Sequence, residues 1–239
     1  MDLRFTDEQL RLQELARDFA TREMKPVVAE LDRLADPQEV LKRFPWNVIK
    51  EGSKVGLRTA ALPKEYGGGE IGILTHLIML EELCQADSGF ATHFHQAWKM
   101  AKLLAQKCSK EQREHFLPKF KDDDTALLAV GITEPDAGCD NLMPYDEPDG
   151  GMRTSAVRDG GGWVINGTKH FIACAAVAKL FFVATRTDKT VGVTKGLTTF
   201  LIERGTPGFR IGRIHDKMGN RLMMNAELIF ENCRVPDFN

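Results

Sequence analysis

Thr125-Ala-Leu-Leu-Ala-Val-Gly-Ile132, followed by Thr133-Glu134-Pro135-Asp136-Ala137-Gly138-Cys139-Asp140, is the stretch at which the chain changes character. An apolar run of this length, bounded by the acidic turn Asp122-Asp123-Asp124 and by Glu134-Pro135, predicts a buried strand. The loop that leaves it is dense in turn-forming and hydrogen-bonding side chains. Thr133 offers a hydroxyl, Pro135 fixes its own φ and biases Glu134 away from helix, and Gly138 lets backbone N–H groups approach a ligand that a Cβ would block. On the residues alone two readings stand side by side: an ordinary strand-exit turn, or a surface that grips a planar, hydrogen-bonding ligand with an anionic tail.

Upstream of this stretch every segment reads as helix. Thr6-Asp7-Glu8-Gln9 is a capping-box pattern, and Leu12, Leu15, Ala16, Phe19, Val27, Val28 and Leu31 continue at helical spacing, with a kink expected near Pro26. A further helix is expected around Trp46–Val55, ending at Gly56, and Leu62-Pro-Lys-Glu-Tyr-Gly-Gly-Gly69 reads as a loop. Ile73 to Ala86 is a mostly apolar helix carrying Glu81 and Glu82, and Ser88 is read as the cap of the next, Gly89 to Lys107. His93 and His95 on that helix point about 200° apart, so they cannot share a metal ion. Ser109-Lys110-Glu111-Gln112 is a second capping box.

Downstream, short β-type runs alternate with turn signals: Arg153–Val157, Trp163–Ile165, Leu180–Arg186, Leu197–Glu203, Phe209–Ile214 and Met223–Phe230. Asp159-Gly-Gly-Gly162, Asn166-Gly167 and Gly205-Thr-Pro-Gly208 lie between them as turns. Such strands at short spacing indicate a small barrel or sandwich. The expected fold is α+β: an all-helical N-terminal domain, residues 1–124, followed by a small antiparallel β-barrel or sandwich domain, residues 125–239. These glycines sit in hairpin turns and not in strand-to-helix phosphate loops, which excludes a Rossmann unit.

The chain of 239 residues is long enough to bury a sizeable core, and 43% hydrophobic with 28% charged residues marks it as globular. A net charge of −2 gives no global case for nucleic acid or an anionic membrane surface. The five cysteines are widely spaced with no C-x-x-C, which suggests neither a disulfide framework nor a metal site, and makes a reducing cytoplasmic setting the default. No apolar run approaches the ~20 residues that span a bilayer, and the N-terminus lacks a basic segment followed by an apolar one.

Taken in order, these pieces resemble the acyl-CoA dehydrogenase family. The residues that carry the resemblance are Phe5-Thr6-Asp7-Glu8-Gln9, Leu62-Pro-Lys-Glu-Tyr-Gly-Gly68, Glu81-Glu82-Leu83 with Asp87-Ser88-Gly89, and Thr133-Glu-Pro-Asp-Ala-Gly138. They continue through Trp163-Val-Ile-Asn-Gly-Thr-Lys169, Thr206-Pro-Gly208, Lys217-Met-Gly219 and Phe230-Glu-Asn-Cys-Arg-Val-Pro236. The resemblance implies a flavin of FAD held against the β domain. Val130, Gly131, Ile132, Thr133, Gly138 and Cys139 would line one edge, and Phe171, Ile172 and Ala173 would lie along the ring. Thr133 would hydrogen-bond the flavin edge and Phe171 would pack on its face. Cys139 stands where the family usually has a serine close to the ligand, and is also the expected substrate contact.

The chemistry so implied is α,β-dehydrogenation of an acyl-CoA thioester, with electrons leaving to an electron-transferring flavoprotein. The family also has a C-terminal helical bundle that carries the catalytic glutamate and builds the oligomer. This sequence stops at Pro236-Asp-Phe-Asn239, so no glutamate here is assigned as the base. The expectation is a truncated or split enzyme, acting as a homo-oligomer or with a second chain that supplies the bundle. The alternatives are a non-catalytic binding module and a purely structural interaction domain. Two residues also depart from the family pattern: Ile172-Ala173-Cys174-Ala175 replaces Ile-(Thr/Ser)-Asn-Gly, removing a hydroxyl expected at flavin N5, and Cys139 is a weaker donor than serine.

Overall fold

A computed structural model describes residues 4–143 and 147–239; residues 1–3, part of the N-terminal stretch read above, and 144–146 lie outside it. Two compact units emerge: Met1–Ala126 with Asp216–Met223, and Leu127–His215 with Met224–Asn239.

In the first unit, α1 (Asp7–Phe19) begins at the Thr6 capping box, with both reciprocal hydrogen bonds formed. A π-helical turn, Ala20–Met24, separates it from α2 (Lys25–Asp32). The break expected near Pro26 is therefore made by the π turn before it, and Pro26 falls in the first turn of α2, where a missing N–H costs little. Then come α3 (Pro37–Lys42), α4 (Trp46–Lys54), α5 (Ile73–Cys84), α6 (Ser88–Lys107) and α7 (Lys110–Asp122). The cap of α6 is Asp87 and not Ser88: its carboxylate accepts from Phe90 N at 2.6 Å, a stronger acceptor than a hydroxyl. α6 is the core of this unit, burying Phe90, Phe94 and Trp98 completely.

The segment Asp216–Met223 belongs to this helical unit although it lies among the strands in sequence. The Arg221 guanidinium donates to the carbonyls of Asp32, Leu34 and Ala35 at the end of α2, and the Leu222 carbonyl lies 2.9 Å from His93 Nε2. Gly89 on α6 is required here, since a Cβ would come within 2.9 Å of Met223 N.

The second unit contains β1 (Leu128–Gly131), β2 (Ser155–Asp159), β3 (Gly162–Ile172), β4 (Leu180–Arg186), β5 (Leu197–Glu203), β6 (Phe209–Ile214) and β7 (Ala226–Pro236). They form one sheet in the order β1-β4-β2-β3-β7-β6, with β5 also on β4. Most ladders are antiparallel, while β1 runs parallel to β4 and β2 meets β4 in a parallel pair. The sheet is thus mixed within an α+β chain. β4 is buried at all seven positions, which is why Leu180–Phe181–Phe182–Val183–Ala184 is continuously apolar instead of alternating.

Asn166-Gly167 is not a turn. It lies inside β3, where the register against β7 shifts between Ile165 and Gly167. Gly167 has φ of 139° and an added Cβ would stand 2.6 Å from Thr154 Oγ1, so the glycine makes a bulge against a neighbouring chain. The strand expected to end at Ile165 therefore runs on to Ile172 and delivers Lys169, His170 and Phe171 beside the end of β1.

Candidate functional site

The loop after β1 is held from within and from β3. Glu134 N donates to Ala137 O at 2.8 Å across Pro135-Asp136, Gly138 N donates to Asp140 Oδ1, and Asn141 Nδ2 donates to Ala137 O. Glu134 is 6% exposed and its carboxylate accepts from Arg153 N at 2.6 Å, Thr154 N at 2.9 Å and Lys169 Nζ at 2.8 Å. Lys169 is fully buried and also donates to Ile132 O. Burial pushes the Glu134 carboxyl upward, but the Lys169 charge and the hydrogen bonds outweigh it and hold the group below the ordinary carboxylate range. Burial is also the larger influence on Lys169, which is pulled down to about 8 against the attraction of Glu134. The pair fastens three backbone segments to one another.

The end of β3 forms the other side. His170 N donates to Thr133 O at 2.8 Å, which sets Thr133 next to Phe171. Phe171 is 56% exposed and has φ of 56°, a left-handed conformation that a bulky side chain rarely adopts. It is held there by Phe171 N donating to His215 Nε2 at 3.3 Å and by Asn225 Nδ2 donating to Phe171 O at 2.8 Å. The His215 ring lies 4.4 Å from the Phe171 ring and tilted by 34°, and the His170 ring lies 4.2 Å away on edge. Cys174, three residues on, is left-handed too, with φ of 62°. Backbone strain held in place by its surroundings, beside an exposed aromatic ring, points to a binding surface.

The residues expected from sequence differ in exposure and in company. Thr133 and Phe171 are brought together; the Thr133 hydroxyl is half-buried and makes no hydrogen bond among the described residues. Ala173 follows at the same edge, half-buried, with a methyl where a hydroxyl would reach further. Gly131 and Ile172 are buried, and Val130 and Ile132 are half-buried. Gly131 has a packing reason: its added Cβ would meet Leu228 Cδ1 at 3.0 Å and Lys169 Cγ at 3.3 Å. Gly138 has none, for its Cβ would meet nothing within 4 Å, so the face it presents is open. Cys139 is exposed at the start of a 3₁₀ turn, Cys139–Leu142.

Sequence reasoning missed Lys169, His215 and Asn225. Lys169 had no local signal, because the strand was expected to end at Ile165 and its partner Glu134 lies 35 residues away. His215 and Asn225 had none, because only the fold brings them to Phe171 across 44 and 54 residues.

A flavin-edge site needs an unused donor or acceptor, an open approach and an aromatic or apolar platform. The half-buried Thr133 hydroxyl, the open face of Gly138 and the exposed Phe171 ring are groups of these kinds. Among the described residues no group of three or more metal-ligating side chains occurs, and no helix is long and apolar enough to cross a membrane.

Residues 6–123 match the model of the acyl-CoA dehydrogenase N-terminal domain and residues 129–233 that of the acyl-CoA dehydrogenase middle domain. The chain is 36% identical over 238 residues to a short-chain specific acyl-CoA dehydrogenase of Clostridium acetobutylicum, covering 99% of this chain and 58% of that protein. It is 38% identical over 234 residues to a cyclohex-1-ene-1-carbonyl-CoA dehydrogenase of Geobacter metallireducens, covering 98% and 57%. Among solved structures, butyryl-CoA dehydrogenase from Megasphaera elsdenii superposes with a TM-score of 0.80 at 30% identity, over 100% of this chain and 59% of that one. The chain thus spans somewhat over half the length of the relatives it matches.

Proposed function

Because the chain belongs to the acyl-CoA dehydrogenase family, we propose that its β unit holds the flavin of FAD and that the protein serves in α,β-dehydrogenation of an acyl-CoA thioester, passing electrons to an electron-transferring flavoprotein. The observation that supports this best is the unused Thr133 hydroxyl set beside Phe171, an exposed ring held in a strained conformation. Solved relatives include a glutaryl-CoA dehydrogenase of Mycobacterium smegmatis in complex with FADH2. FAD, when bound, supplies the two-electron chemistry that no side chain can.

The chain's own residues position and shield. Thr133 would bond the flavin edge, and Phe171 would cover the ring face, an aromatic contact worth ~0.5–1.5 kcal/mol. His215 and Asn225 fix the Phe171 backbone. The Glu134–Lys169 pair fixes the loop, and the exposed Cys139 would meet the substrate. The α-proton must go to a base, and neither Glu134 nor Glu82 is free for it, while Glu81 is exposed on α5. Glu134 is buried against Lys169, and Glu82 is held by Arg17 and Gln13. The reading is therefore a base supplied from outside residues 1–239, by a second chain or a further segment.

A second reading, a family member that binds without turning over, is favoured by one observation: Ala173 lacks the hydroxyl expected at the flavin. The visible absorption spectrum of the chain with added FAD tests both. A perturbed flavin band, with no turnover by the chain alone in a dye-acceptor assay, is the expected outcome. A folded chain that leaves the FAD spectrum unchanged overturns the flavin reading, and turnover by the chain alone overturns the missing base.

A further inference from the structure

Between the loop ending at Gly72 and helices α5 and α6 the helical unit forms a half-open cavity of about 260 Å³. Its lining includes the buried apolar residues Ile71 and Trp98, the exposed Ile73, the histidines His76 and His95, and the lysines Lys99, Lys102 and Lys107. His93 and His95 diverge on α6, as their spacing requires, but α5 brings His76 to His95, with His76 Nε2 and His95 Nδ1 2.9 Å apart. The His76 ring also stands edge-on to Trp98 at 4.7 Å.

Three features separate this from a solvated lysine face. His76 is only 7% exposed, so its polar atoms have little access to water other than through the cavity. The outer ring nitrogens, His76 Nδ1 and His95 Nε2, have no hydrogen-bond partner among the described residues. No carboxylate lines the cavity, and the charged groups that act on His76 are His95, Lys102 and Lys99, all bases. A cation is disfavoured by such a lining, and a fully hydrated anion is disfavoured by its apolar part.

We propose that this cavity binds a small aliphatic carboxylate, its chain against Trp98, Ile71 and Ile73 and its carboxylate toward His76, His95, Lys99 and Lys102. The ligand class follows from the pairing of apolar with basic lining residues, because a carboxylate with a short chain satisfies both at once. The site lies within the helical unit and needs no flavin.

The test is titration of the 239-residue chain with hexanoate by calorimetry, with imidazole NMR signals of His76 and His95 followed in parallel. Saturable binding with shifts of both histidines is expected. The double substitution Lys99→Glu/Lys102→Glu, at positions that are not buried, weakens it at least tenfold while the melting temperature stays the same. Any of three results overturns the proposal: no saturable binding, unchanged affinity in the double variant, or equal affinity for neutral hexanamide. Displacement by an equal concentration of sulfate also overturns it, since charge alone would then suffice.

Discussion

The two units bury their polar groups in opposite ways. The β unit pairs a buried base with a buried acid, Lys169 with Glu134, and completes the acid with two backbone N–H groups. The helical unit buries bases that hydrogen-bond to no carboxylate among the described residues. Among the described residues Arg58 donates to Ser53 Oγ and to the carbonyls of Phe120, Lys121 and Ala126, and burial lowers it to about 10 against the attraction of Asp123 and Asp124. His93 is fully buried and meets the Leu222 carbonyl, with its Nδ1 unpartnered. The difference teaches where each unit is vulnerable. A buried ion pair fails when one member is removed, whereas a buried neutral histidine such as His93 fails when it is protonated.

The largest effect is expected from removing one member of the pair. Lys169→Met leaves the Glu134 carboxylate buried without its counter-charge and should destabilise the chain by ~3–5 kcal/mol, measured by urea unfolding. The double change Glu134→Gln/Lys169→Met should recover much of this loss. A loss under ~1 kcal/mol for the single variant would break the contrast between the units.

Acid should act on the helical unit first. Burial is the main reason His93 is lowered to about 4, with the Leu222 carbonyl opposing it in part. His76 is lowered to about 4, mainly by burial and then by its basic neighbours. The unfolded state takes up protons near pH 6.5 and the folded state only near 4, so stability falls as pH drops through that window. For His93 alone the loss is about 3 kcal/mol. Glu134, held low in the folded state, contributes stability that is lost only below the ordinary carboxylate range. Hydrogen exchange between pH 6.5 and 4 should therefore show protection lost in α5 and α6 before β3 and β7. Simultaneous loss would contradict the assignment.

Two smaller changes sharpen the contrast between structural and ligand-facing groups inside the β unit. Thr133→Ala removes a hydroxyl that no protein group uses, so the melting temperature should hold while FAD affinity falls about tenfold, roughly 1.4 kcal/mol. Loss of stability without loss of affinity would make Thr133 a structural residue. Ala173→Thr should tighten FAD binding several-fold in a fluorescence titration, and unchanged affinity would mean that this side chain does not face the flavin.

Much of the fold was legible because local rules carry it. The capping boxes at Thr6 and Ser109, and the apolar runs that became β4, β5 and β6, fix their elements within a few residues of chain. Asn166-Gly167 misled for a physical reason: a positive-φ glycine serves a hairpin turn and a β-bulge equally, and only the neighbouring Thr154 decides between them. Ser88 misled because Asp87, one residue earlier, is the stronger acceptor. At the candidate site, Thr133, Gly138 and Phe171 were visible through their residue types and their place in a family resemblance. Lys169, His215 and Asn225 were not, since they act through contacts 35 to 54 residues distant in sequence.

By itself, then, the sequence determined an all-helical half, a strand-rich half and the loop on which the flavin reading rests, because periodicity, caps and turn residues act over a few positions. Only the tertiary structure decided that Asp216–Met223 joins the helices, that Phe171 is held left-handed by His215 and Asn225, and that His76 meets His95. These depend on packing between distant segments, where burial sets which polar groups must find each other, and no local pattern records that requirement.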